Sequence, residues 1–163
     1  MTTAKGLTNG AFPMGAVFAS RAVYDALMQG PGNAIELFHG YTYSGHPAAC
    51  AAGLATLEIY RREGLLTRAA ELAPAWKAAV HGLRDCPNVI DIRNLGLMAA
   101  VELGPRPDAP GARGYETLVR TLQAGALIRV TGDTVALSPP LIISIDEIDR
   151  LVAALRSVLE DLA

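Results

Sequence analysis

The chain has 163 residues, of which 51% are hydrophobic and 18% are charged, and its formal net charge is −2. This composition indicates a folded globular protein and excludes a disordered chain, while the near-neutral charge without a basic block gives no support for nucleic-acid binding. No apolar run reaches the roughly 18 residues of a membrane-spanning helix and no secretory leader pattern opens the chain, so we expect a cytoplasmic protein.

The first 45 residues predict one strand, one helix and a loop. Residues 14–20 form a short apolar run after Pro13, which is typical of a buried strand. Residues 22–28 read as a short helix that ends in the turn residues 29–33. The loop over residues 39–45 then leads to Pro47, which favours the first turn of a new helix.

Two long helices are predicted next. Residues 48–62 begin with small side chains and become amphipathic in their second half. In residues 65–84, apolar side chains recur at spacings of three and four, which places them on one helical face. Trp76 lies on that face and is predicted to be a core residue, and Pro74 is expected to kink the helix.

The remaining residues predict a small sheet with helices on one side. Two strand-like runs flank a turn at residues 94–96, a surface loop covers residues 104–114, and a helix is predicted over residues 115–123. Gly132 and Asp133 predict a tight hairpin turn between two further strands. Ser144 and Glu147 form a capping box that opens the last helix. The fold class is therefore α/β, with a small antiparallel or mixed sheet from about residue 57 onward.

Lys5 is one of only two lysines, against twelve arginines. A lysine can lose its proton when buried and then attack a carbonyl group, which an arginine cannot do. An ordinary exposed lysine is the commoner situation. From the residue alone, both interpretations of Lys5 stay open.

Arg129 and Thr42 are candidate binding residues. Arg129 stands between two apolar residues of a predicted strand, so its side chain points to the opposite face. It is either a carboxylate clamp or a strand-edge arginine that faces water. Thr42 and Ser44 precede the predicted helix start at Pro47, where hydroxyls and backbone N–H groups either form a phosphate site or simply cap the helix.

A metal site is not predicted. His39 and His46 are seven residues apart on a loop without a carboxylate cluster, and the distant Cys50 and Cys86 have no paired ligand spacing.

Five segments, taken together and in this order, closely resemble the class III aminotransferases, with the ω-amino acid:pyruvate and β-alanine:pyruvate branch nearest. They are residues 4–10, 13–17, 39–47, 93–97 and 129–133, and the resemblance extends over essentially all 163 residues. It implies the pyridoxal-phosphate (PLP)-dependent transferase fold type I and a homodimer with active sites between the subunits.

The resemblance also implies roles for three residues. Lys5 matches the catalytic lysine that binds the cofactor as a Schiff base and shuttles the substrate proton. Thr42 matches the threonine that reaches the cofactor phosphate of the partner subunit. Arg129 matches the mobile arginine that binds a substrate carboxylate and swings aside for amino donors without one.

By the same resemblance, residues 1–56 correspond to the end of the PLP-binding large domain and residues 57–163 to the C-terminal small domain. The family's carboxylate partner of the pyridine nitrogen, its phosphate-cup segment and its ring-stacking aromatic residue match nothing in this chain. We therefore expect a C-terminal fragment that does not transaminate alone. The alternative is a non-catalytic remnant that serves as a dimerisation or interaction module.

Overall fold

The computed structural model describes residues 1–33, 37 and 40–162, which form two compact units, Met1–Gly64 and Leu65–Ala163. The predicted boundary between residues 56 and 57 falls inside a continuous helix, Pro47–Arg62. The units divide instead at Gly64, whose φ of +59° is a backbone conformation that favours glycine. The assignment of the two units to a large and a small domain stays a prediction.

The first unit contains a two-stranded sheet and two helices. Strand β1 (Thr2–Ala4) pairs antiparallel with β2 (Gly15–Val17), and a single 3₁₀ turn, Lys5–Leu7, follows β1 directly. Helices α1 (Arg21–Leu27) and α2 (Pro47–Arg62) complete the unit. Strand β2 and both helices lie where the sequence predicts them, whereas β1 has no counterpart among the predicted elements.

The second unit is a four-stranded antiparallel sheet with three helices. In chain order its elements are α3 (Leu65–His81), β3 (Val89–Leu95), β4 (Met98–Leu103), α4 (Ala112–Gln123), β5 (Arg129–Thr131), β6 (Thr134–Leu137) and α5 (Ile145–Glu160). The strand order is β3-β4-β6-β5, so β3 and β5 are the edges. The prediction of an antiparallel or mixed sheet is confirmed in its antiparallel form.

The hydrophobic core lies on one face of this sheet. Alternate strand residues such as Val101 and Val135 are buried beneath α3 and α5, which contribute Trp76 and Leu155. The predicted core position of Trp76 is confirmed, since its side chain is fully buried. The intervening strand residues face away from this core, which leaves the second face of the sheet available for a binding site.

No helix in the described part of the chain combines the length and the hydrophobicity that crossing a membrane requires.

Candidate functional site

Lys5 lies at the end of β1 in a strained backbone conformation. Its φ is +56°, in the left-handed region that non-glycine residues seldom adopt. Its side chain is exposed, and its amino group forms no hydrogen bond or ion pair with any residue that the structure describes. Such conformations cost about 1–3 kcal/mol each and concentrate at functional sites. The fold thus presents a primary amine that none of the described residues engages.

The turn that carries Lys5 is fixed by hydrogen bonds from two directions. The Tyr60 hydroxyl, on α2, donates to the Gly6 carbonyl at 2.8 Å. The Thr8 N–H donates to the Lys5 carbonyl at 3.2 Å, and the buried Thr8 hydroxyl donates to the Phe12 carbonyl at 2.5 Å. The backbone at Lys5 is therefore held in place, while its side chain is exposed.

Thr42 lines a cavity of about 580 Å³ in the first unit, at the start of α2. Ser44, Gly45 and His46 line it from the same loop, and residues 12–15 close the opposite side. Gly45 has a φ of +71°, which turns the chain sharply into the helix.

The start of α2 fits a phosphate group. His46 is the N-cap residue and its side chain makes no capping hydrogen bond. Pro47 at the first helical position has no N–H, so the first-turn donors at the positive end of the helix dipole are the N–H groups of Ala48 and Ala49, and Thr42 and Ser44 line the same cavity as Ala49. This is the donor set that a phosphate needs. His39 lies outside the described residues, and the His46 ring stacks at 5.1 Å from that of Phe12.

Lys5 does not line the cavity that contains Thr42. The resemblance assigns Thr42 to the cofactor of the partner subunit, so it does not require the two residues to share a cavity within one chain.

Arg129 lies on the face of the sheet away from the core. It pairs with Ala136 on β6, which pairs with Ala100 on β4, which in turn pairs with Arg93 on β3. Two arginines thus stand at opposite edges of the sheet, roughly 14 Å apart at three strand spacings, with only alanines between them.

The two arginines differ in their partners. Arg93 donates to Glu102 at 2.7 Å and to Asp91 at 2.9 Å, and these hydrogen bonds raise the pKa of its guanidinium. The Arg129 guanidinium has no hydrogen bond or ion pair within the described part of the chain, although its backbone belongs to the β5–β6 ladder. Of these two arginines, Arg129 is therefore the one whose guanidinium is open to an incoming anion.

A groove of about 430 Å³ begins beside Arg129. Its lining is mainly apolar and includes Leu127, Pro139 and Pro140. A guanidinium in the lining of a mainly apolar groove suits a small molecule with one carboxylate and a hydrocarbon portion, because the charged fork pairs with the carboxylate while the groove accepts the rest.

Sequence reasoning selected Lys5, Thr42 and Arg129 but missed the residues that hold their backbones. Tyr60 bonds to a carbonyl 54 residues away, and no local pattern reveals such a contact. Asp133 was recognised only as a turn residue, although its carboxylate bonds to α4.

The described structure thus presents a lysine on a fixed turn and an arginine whose guanidinium is open. The chain matches the family described as Aminotransferase class-III over residues 1–159. It belongs to the class III aminotransferases.

Two relatives and one solved structure illustrate the similarity. The chain is 60% identical to an omega-aminotransferase of Caulobacter vibrioides over 96% of its length, and 46% identical to a beta-alanine–pyruvate aminotransferase of Pseudomonas aeruginosa over 100%. An amine transaminase from an uncultivated Pseudomonas species, solved with PLP bound, superposes with a TM-score of 0.89 at 33% identity. That match covers 99% of this chain and 38% of the other.

The chain spans 36% and 37% of the lengths of these two relatives. Its fold is accordingly part of the PLP-dependent transferase fold type I, and the cofactor of its family is PLP.

Proposed function

We propose that this chain is the lysine-bearing and carboxylate-binding part of an aminotransferase that moves an amino group from an ω-amino acid or amine to pyruvate. The observation that carries the proposal is Lys5, an amine without a partner among the described residues, on a strained and doubly anchored turn. The choice of substrates is supported by the names of the two relatives, an omega-aminotransferase and a beta-alanine–pyruvate aminotransferase.

Each site residue has a physical task in this function. PLP supplies the electron-withdrawing ring on which amino-group exchange depends. The Lys5 amine holds the cofactor carbonyl and carries the transferred proton at Nζ, two tasks that require a primary amine in its neutral form. Arg129 orients the substrate through paired N–H donors to its carboxylate, and the Thr42 hydroxyl donates to a cofactor phosphate.

The proposal includes three further statements, of which the homodimer and the inactivity of the isolated chain are implied by the resemblance, and the cytoplasmic location is expected from the composition of the sequence. The enzyme works as a homodimer, because Thr42 serves the cofactor of the partner subunit. It acts in the cytoplasm. The 163 residues alone do not transaminate, because no residue among them matches the carboxylate that pairs with the pyridine nitrogen.

The test uses the Caulobacter vibrioides omega-aminotransferase with its matching segment replaced by this chain (the grafted enzyme). We expect the grafted enzyme to transfer the amino group of β-alanine to pyruvate at about 1 per second or faster, an ordinary enzymatic rate. The isolated chain, assayed with added PLP, should show no turnover.

Two lysine variants complete the test. Lys5→Ala should abolish transfer in the grafted enzyme, whereas Lys77→Ala, at an exposed position on α3, should leave it intact. Activity that survives Lys5→Ala would refute the assignment of the lysine. A folded grafted enzyme that binds no PLP would support the non-catalytic alternative.

A further inference from the structure

The hairpin that carries Arg129 has a turn of two residues, Gly132 and Asp133. Thr131 and Thr134 form the last pair of the ladder, and Gly132 has a φ of +57°. A positive φ at the first central residue alone is the pattern of a type II′ turn, whose twist matches that of the flanking strands. The turn is therefore tight, and it projects the Asp133 side chain away from the strands.

The Asp133 carboxylate caps α4. It accepts hydrogen bonds from the Gly111 N–H at 2.6 Å and from the Gly114 N–H at 2.9 Å. Gly111 is the N-cap residue of α4 and has no side chain with which to cap the helix itself. A residue 22 positions beyond the N-cap thus supplies the cap, and the carboxylate is further favoured by the positive end of the helix dipole.

The turn also lies directly against the first turn of α4. A Cβ placed on Gly114 would lie 2.1 Å from the Gly132 carbonyl oxygen, a distance that no real contact allows. Only glycine at position 114 permits the carboxylate of Asp133 to reach the helix N–H groups. The contact between the hairpin turn and α4 is consequently both hydrogen-bonded and sterically close.

Strand β5 is short, although Ile128 before it is buried and Val130 within it packs against the core. It has three residues, lies at the edge of the sheet and pairs only with β6. The chain reaches β5 from the end of α4 through residues 124–128. Beyond β5, the Asp133 carboxylate is hydrogen-bonded to the start of α4. Arg129 therefore lies on a short segment that is tied to α4 at both ends, covalently at one and through Asp133 at the other.

We propose that Asp133 is a positioning residue for Arg129. By fixing the hairpin turn to α4 it sets the direction in which the Arg129 guanidinium meets a substrate carboxylate. This inference rests on the proposed function of Arg129. It assigns to Asp133 no contact with substrate or cofactor.

The kinetic test compares two acceptors in the grafted enzyme, pyruvate and propanal, of which only pyruvate has a carboxylate. Asp133→Ala should raise KM for pyruvate about tenfold, within the up to 100-fold cost of displacing a positioned group by about 1 Å. The KM for propanal should stay nearly unchanged. Asp133→Asn keeps one acceptor oxygen and should give an intermediate value. Asp149→Ala, at an exposed aspartate on α5, is the matched control and should change neither KM.

Arg129→Ala in the same assay separates the two proposals. If Arg129→Ala does not discriminate between the acceptors, the proposed role of Arg129 fails. If Arg129→Ala discriminates but Asp133→Ala affects both acceptors equally, or neither, the inference about Asp133 is overturned.

A second measurement on the full 163-residue chain does not depend on activity. Amide hydrogen exchange in Asp133→Ala should accelerate across residues 129–137, while the amides of α5 keep their protection. Gly114→Ala should produce the same exchange pattern from the helix side, because its methyl group displaces the turn. Unchanged exchange across residues 129–137 in both variants would overturn the positioning role.

Discussion

Lys5 and Lys77 place the same functional group in two different environments. Lys77 lies exposed on helix α3. Lys5 instead follows strand β1, and its own backbone has a left-handed conformation. When the grafted enzyme is loaded with PLP and reduced with borohydride, we expect the cofactor to be fixed covalently to Lys5. Peptide mapping by mass spectrometry locates the modification. Modification at Lys77, or at neither lysine, would contradict the assignment.

The effect of removing the Arg129 side chain on catalysis should depend on whether the substrate has a carboxylate. Arg129→Ala removes a bidentate contact and should weaken transition-state binding of carboxylate substrates by about 2–4 kcal/mol, given about 1.5–3 kcal/mol per hydrogen bond to a charged group with sub-additive summation. Amine donors without a carboxylate should lose far less. The measurement is kcat/KM for β-alanine and for an arylalkylamine.

A matched control for this substitution is Arg150→Ala. Arg150 is exposed on α5 and lies outside the groove that contains Arg129. It should leave both values of kcat/KM unchanged. Equal losses for the two donors in Arg129→Ala would show that Arg129 has only a structural role.

Among the elements, helix α5 begins with a capping box in which both hydrogen bonds are present. The Ser144 hydroxyl accepts from the Glu147 N–H, and the Glu147 carboxylate accepts from the Ser144 N–H at 2.8 Å. Ser144→Ala should lower the free energy of unfolding by about 1 kcal/mol, the usual effect of losing an N-cap side chain. Urea unfolding measures this, with Ser138→Ala at an exposed loop position as the control.

The same capping box predicts a pH dependence. Hydrogen bonds from the Ser144 backbone and then its hydroxyl hold the pKa of Glu147 below its ordinary value of 4.5. The folded state thus favours the charged carboxylate, and its stabilisation is present above that value and lost as the pH falls below it. The stability difference between the wild-type chain and Ser144→Ala should therefore narrow below about pH 4.5. A difference independent of pH would exclude a contribution of the Ser144 hydroxyl to the lowered pKa of Glu147, because Ser144→Ala keeps the backbone hydrogen bond.

The elements that the sequence predicted well are those encoded by local patterns. The stripe around Trp76, the capping box at Ser144 and the turn at Gly132 each depend on residues only a few positions apart. Helix α4 was predicted to begin at residue 115, but it begins at Ala112, because its cap comes from Asp133 on a later hairpin. Strand β1 was missed because three residues are too few to show a period.

For the candidate site, the sequence suggested the residues but not the contacts that surround them. Functional-group chemistry and the family resemblance together selected Lys5, Thr42 and Arg129. Neither could show that the Arg93 guanidinium already binds two carboxylates while the Arg129 guanidinium binds none in the described structure. That difference depends on the strand register.

At the scale of the whole molecule, the hydrophobic core lies in the second unit, Leu65–Ala163. The clustered buried side chains all lie between Trp76 and Leu162. In Met1–Gly64, Ala49 is the only buried hydrophobic side chain among the residues that the structure describes. Because burial of apolar surface is the dominant stabilising term, the second unit should fold alone.

Residues 65–163 expressed alone should therefore unfold cooperatively in urea. Trp76, the single tryptophan, is fully buried and reports the transition by fluorescence. Residues 1–64 alone should show no cooperative transition by circular dichroism. Solvent-exposed tryptophan emission from residues 65–163 in buffer would show that this unit depends on the rest of the chain.

The left-handed backbone of Lys5 has a consequence for sequence redesign. Glycine adopts a φ of +56° without the cost of about 1 kcal/mol or more that a side chain incurs there, so Lys5→Gly should not weaken the local fold. Lys77→Gly, inside α3, should cost about 1 kcal/mol. Amide exchange at Thr8, whose N–H bonds to the Lys5 carbonyl, and urea unfolding measure the two effects. A procedure that selects residues for stability alone would therefore accept glycine at position 5, and it would delete the amine on which the chemistry depends.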